Sequence, residues 1–149
     1  KQLNYIQKKL IDINYHIYGS PKYLEKHGFP KNTSDLNKHS FISFGRGAPS
    51  PVYNPDWALK LGTKDNKKRK TVMKVNSVYG LLLAVQSGVG LAALPDYITV
   101  NQPNIVKVLP NIEGPITEAH FVYPQSMKNV ARVQAFRNFL YSKISEWEF

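Results

Sequence analysis

The residues in this chain best suited to chemistry are those that can hold an anion. Arg46 stands between Gly45 and Gly47, and a guanidinium can pair bidentately with a carboxylate. Asn76-Ser77-Val78 head an apolar stretch in which Val78, Leu81, Leu82 and Val85 are spaced i, i+3, i+4, i+7, as on one helical face. N–H groups at Ser77 and Val78, at the positive end of that helix, can complete an anion site. Each residue also has an ordinary use, Arg46 as an exposed loop arginine and Ser77 as a helix cap.

Groups that would transform a bound molecule lack their partners. The chain has no cysteine, which removes thiolate nucleophiles, disulfides and Cys metal sites. No Gly-x-Ser-x-Gly elbow occurs. His16, His27, His39 and His120 show no metal-type spacing; each suits a surface, turn or strand position. Asp96 directly follows Pro95, where a carboxylate favours the first turn of a helix. These absences argue against an enzyme and imply no cofactor or metal.

Gly88 and Gly90 also fail as a nucleotide-binding loop. A dinucleotide fingerprint puts its glycines after a strand and before a helix, so that the helix N-terminus meets the pyrophosphate. Here they follow a helix, and Ala93 stands where a third glycine is needed. They instead predict a helix stop at Gly88, a close backbone approach at Gly90, and a short strand over 91–94 buried on both faces. Pro95 then starts the next helix.

Elements alternate along the rest of the chain. Period-2 patterning predicts a strand over 12–18, and Ser20-Pro21 caps a helix that stops at Gly28. Residues 33–39 predict a short polar turn or helix, and 41–44 a strand. Residues 45–55 carry glycines and prolines and predict a loop. Residues 57–61 and 71–75 predict strands flanking a basic turn, and further strands fall at 105–110 and 119–124. Val133, Phe136, Leu140, Ile144 and Trp147 trace one stripe of a long final helix. This order predicts an α/β architecture with a largely parallel sheet covered on both faces.

The formal net charge is +10, and residues 60–74 carry seven cations against Asp65 alone. Such a run can bind phosphates or form a solvated loop. No aromatic residue interleaves with the lysines to stack a base. No apolar segment approaches the ~20 residues that span a bilayer, so no membrane partner is expected.

Several ordered motifs resemble the effector-binding domain of LysR-type bacterial transcriptional regulators, which has the type 2 periplasmic-binding-protein fold. They are Tyr18-Gly19-Ser20-Pro21-Lys22-Tyr23-Leu24 with His27-Gly28 and Pro30; Asp35-Leu36 with His39; and Val75-Asn76-Ser77. Ser87-Gly88-Val89-Gly90-Leu91-Ala92-Ala93-Leu94-Pro95 follows, then Val106 to Pro110, Val122-Tyr123-Pro124, and Val133, Ala135, Phe136 and Leu140. The resemblance covers residues 11–140 and identifies the C-terminal part of that domain.

It implies three segments: 1–19 as the crossing segment of an incomplete first lobe, 20–114 as a complete second lobe, and 115–149 as the first lobe's return strand and final helix. The DNA-binding domain would be absent from this chain. A small anionic metabolite is then expected between two lobes, at the carboxyl ends of strands, against Ser20, Gly45, Arg46, Gly47, Asn76, Ser77 and Val78. Ser20 serves equally as a helix cap. Homo-oligomerisation, a cytoplasmic location and DNA contact only through the missing N-terminal domain are also implied. A solute-binding receptor of the same fold is the alternative, and sequence upstream of Lys1 would separate the two.

Overall fold

The computed structural model describes residues 4–45, 54 and 56–147. The chain divides into two units, one of Asn14–Ile116 and one made from the segments on either side of it. The flanking segments supply β1 (Tyr5–Ile13), β7 (Thr117–Pro124) and the helix α4 (Ala131–Ile144). β1 and β7 pair antiparallel from Tyr5↔Pro124 to Ile13↔Thr117, with a register shift between Lys9 and Ile11. α4 is tied to β1 by Tyr141 Oη, which donates to Lys9 O at 2.9 Å, and to β7 by an edge contact between Phe136 and Phe121. Its predicted stripe is thinly covered. Val133, Leu140 and Ile144 are half-buried, Phe136 and Trp147 are more than half exposed, and no described residue of the helix is fully buried.

The Asn14–Ile116 unit holds β2 (Tyr15–Gly19), α1 (Pro21–His27), β3 (Phe41–Phe44), α2 (Trp57–Lys60), β4 (Thr71–Val75), α3 (Val78–Gln86), β5 (Ala92–Pro95) and β6 (Val106–Val108). β2 lies between β5 and β6, antiparallel to both, and β3 pairs parallel with β4. A parallel bridge at Phe41↔Leu91 joins the two groups. There Ile42 N–H donates to Leu91 O at 2.8 Å and Leu91 N–H to Ser40 O at 2.9 Å. The strand order is therefore β4-β3-β5-β2-β6, with four strands running one way and β2 against them.

Strand alternation sends side chains to two core clusters, as the two-residue period of a strand requires. Ile17, Phe41 and Leu91 pack with Tyr23, Leu24, Leu36, Ala58, Leu59 and Val108. Their neighbours Tyr18, Ile42, Ala92 and Leu94 pack with Leu81, Leu82, Val85 and Ile105. α3 thus covers one face, and α1, α2 and the 3₁₀ turn Asp35–Lys38 cover the other. Burying Leu81, Leu82 and Val85 stabilises the α3 face by about 1.5–3 kcal/mol per side chain.

Three local expectations change. Residues 57–61 form a helical turn and not a strand, because adjacent Ala58 and Leu59 both turn into the core and Gly62, at φ 68°, ends the turn. Four residues are too few for periodicity to separate the two forms. The strand expected over 12–18 breaks at Asn14. β1 starts much earlier, at Tyr5, and pairs with β7, whereas Tyr15–Gly19 pairs inside the other unit. Pro95 ends β5, and only a 3₁₀ turn, Asp96–Ile98, follows it.

Candidate functional site

At the carboxyl ends of β3 and β4 the chain makes two adjacent turns. Phe44 pairs with Val75, and Gly45 N–H donates to Val75 O at 2.9 Å. A Cβ on Gly45 would stand 3.7 Å from Asn76 N, so Gly45 and Asn76 are neighbours. Ser77 caps α3 with an extended backbone, and its Oγ accepts from Gly80 N–H at 3.3 Å. Gly80 lets β4 turn tightly into α3, since a Cβ there would come within 2.6 Å of Val75 Cγ1.

Asn76 and Ser77 are exposed and Val78 is half-buried. The first turn of α3 carries no acidic residue, so the positive end of the helix is not neutralised locally. The structure therefore brings Gly45, Asn76, Ser77 and Val78 together at one sheet edge. Arg46 and Gly47 lie outside the described residues.

Ser20 does not join them. β2 runs against the other strands, with Tyr15↔Pro95 and Tyr18↔Ala92, so Ser20 follows the end of β2 that lies beside the start of β5. It is 2% exposed, and its Oγ accepts from Tyr23 N–H at 3.3 Å to cap α1. A Cβ on Gly88 would lie 3.6 Å from that oxygen. Ser20 is a buried cap at the opposite edge, and the cause of the difference is strand direction.

Asp96, directly after β5, anchors a polar cluster that local patterning did not expose. Its carboxylate accepts from Tyr18 Oη at 2.9 Å and from Lys107 Nζ at 3.0 Å, and His16 Nδ1 lies 2.9 Å away. An ionised carboxylate only accepts, so His16 carries its proton on Nδ1. Burial pushes the Tyr18 phenol well above its ordinary range. Asp96 N–H donates to Asn14 O at 3.0 Å, and Gly114 N–H to Tyr15 O at 2.7 Å. Asp96 thus ties the end of β5 to the start of the unit at Asn14. A signal for the cluster was the i, i+2 spacing of His16 and Tyr18, which puts both on one strand face.

Among the described residues no group of three His, Cys, Asp or Glu is placed to hold a metal. Also among them, no helix is long and apolar enough to cross a membrane.

The sequence model of the LysR substrate-binding domain matches residues 3–144. A protein of Haemophilus influenzae described as an uncharacterized HTH-type transcriptional regulator is 29% identical over 123 residues. That match covers 80% of this chain and 41% of the relative, so the chain spans about two fifths of the relative's length. In fold the chain resembles the regulatory domain of CrgA, a LysR-type transcriptional regulator from Neisseria meningitidis. The TM-score is 0.77 at 24% identity, covering 94% of this chain and 69% of that one. The regulatory domain of AphB from Vibrio vulnificus superposes with a TM-score of 0.68 at 16% identity, covering 96% and 70%. The chain belongs to the LysR substrate-binding domain family, and the relatives it resembles are described as transcriptional regulators.

Proposed function

We propose that this chain senses a small anionic metabolite and that Gly45, Arg46, Gly47, Asn76, Ser77 and Val78 hold it. The observation that carries this reading is the meeting of the Gly45 turn with the uncompensated N-terminus of α3 at the carboxyl edge of a mainly co-directional sheet. Ligands of open α/β sheets bind at such edges. N–H groups of the first helical turn have no intrahelical acceptors and favour negative charge. Arg46, next to Gly45 in sequence, would add a bidentate partner for a carboxylate. Ser20 is left out because it caps α1 at the other edge.

In the whole protein the metabolite would sit between two lobes and bind the closed arrangement better than the open one. That difference in affinity is what shifts the population of DNA-binding states. DNA contact through an N-terminal domain, homo-oligomerisation and a cytoplasmic location belong to the same proposal. Native mass spectrometry of the purified full-length regulator would identify a co-purifying metabolite, and calorimetry would then measure its affinity. Arg46→Ala is expected to weaken binding at least tenfold, ~1.4 kcal/mol. Unchanged affinity would remove Arg46 from the site.

A further inference from the structure

We infer that the basic segment 60–74, which ends beside the Gly45–Ser77 edge at Lys74, is a docking surface for the phosphate backbone of duplex nucleic acid. The segment is built, not loose. Arg69 Nε donates to Asn37 Oδ1 at 2.9 Å, Nη1 to Ala58 O at 3.1 Å and Nη2 to Thr33 O at 3.2 Å. Its guanidinium lies 5.6 Å from the Phe41 ring centre, and its backbone N–H donates to Leu59 O at 2.9 Å. Arg69 is thus spent on neutral oxygens, pinning the segment to the core while the lysines on either side of it reach solvent.

Lys64, Lys67, Lys68, Lys70 and Lys74 are exposed. Among the described residues only Lys68 of the segment has an ion-pair partner, Asp56 at 2.5 Å.

The residue types select the partner. Protein interfaces are depleted in Lys and anchored by Tyr, Trp and Arg, whereas 60–74 has lysines and no aromatic residue. The lack of aromatics also argues against single strands, whose bases stack on such rings. Clustered exposed ammonium groups, of which only Lys68 has an ion-pair partner among the described residues, suit the closely spaced charges of a duplex, where binding is driven by counterion release and is blind to sequence.

The test is fluorescence anisotropy of a labelled random-sequence DNA duplex titrated with this chain at several salt concentrations. The triple variant Lys64→Gln, Lys67→Gln, Lys70→Gln is compared with a charge-matched control carrying Lys22→Gln, Lys26→Gln and Lys128→Gln. All six lysines are exposed, and circular dichroism checks that both variants stay folded. The segment variant is expected to lose at least tenfold in affinity at low salt. Its log–log salt slope should become shallower by about 2.7, near 0.9 for each phosphate no longer neutralised. The control should stay close to the unmodified chain. Equal loss in the control would overturn the proposal in favour of net charge alone. Binding to poly-glutamate without binding to the duplex would overturn it in favour of an acidic protein partner.

Discussion

Replacing Asp96 with alanine is expected to lower the unfolding free energy by about 3 kcal/mol, because it leaves two buried donors unpaired at about 1–3 kcal/mol each. The Asp96 side chain is 5% exposed, and that of His16 beside it is 8% exposed. Its loss leaves the His16 Nδ1–H and the Tyr18 hydroxyl without their carboxylate acceptor. Lys107 contributes less to the cost, because its side chain is 38% exposed and can turn to solvent. Asp96→Asn should recover part of the loss, since an amide oxygen still accepts from Tyr18 while the charge is gone. Urea unfolding of the two variants reads both effects. If Asp96→Ala unfolded at the same urea concentration as the unmodified chain, the cluster would not be a stabilising element.

The second large effect is at Gly90. A Cβ built there meets Ser40 O at 2.6 Å, Ser40 C at 3.0 Å and Ser40 Cβ at 3.3 Å. Two of the three are backbone atoms, which cannot swing away. Ser40 O is also the acceptor of Leu91 N–H in the bridge that joins β3 to β5. Gly90→Ala therefore pushes apart the junction that makes one sheet of the two strand groups. It is expected to cost about 3 kcal/mol, at the upper end of the overpacking range.

Gly88 supplies the comparison. Its φ is 78°, yet a Cβ there meets nothing closer than Ser20 Oγ at 3.6 Å. Gly88→Ala should cost only the strain of a left-handed residue, about 1–2 kcal/mol. Thermal unfolding of both variants should thus rank Gly90→Ala below Gly88→Ala. The reverse order would mean that the close approach at Ser40 is not tight.

The same glycines show what was legible in the sequence. The helix stop at Gly88, the close approach at Gly90 and the buried strand after it follow from local residue choice, and the structure has all three. α3 is equally local, with its cap at Ser77 and its buried Leu81, Leu82 and Val85. Strand direction is a different kind of fact. Nothing near Ser20 records that β2 runs against β5, so a turn that follows a strand looked like a neighbour of Gly45 and Ser77 although pairing places it at the other end.

Asp96 failed for a related reason. Its partners His16 and Tyr18 stand about 80 positions earlier in the chain, and a carboxylate after a proline carries a sufficient local explanation as a first-turn residue. The turn at 57–60 was illegible because Trp-Ala-Leu-Lys suits a strand or a helix equally, and only core packing of both Ala58 and Leu59 decides. Family membership, by contrast, was readable because many weak motifs kept their order along the chain.

The central claim is that the carboxyl edge formed by Gly45 and the start of α3 receives an anion. The most direct measurement is a ¹H–¹⁵N NMR titration of this chain with small dicarboxylates, succinate first. Saturable shifts of the Gly45, Ser77 and Val78 amides, absent when an uncharged diol replaces the diacid, are the expected result. Shifts confined to the lysines of 60–74, with those three amides unmoved up to saturation of the lysine response, would contradict it.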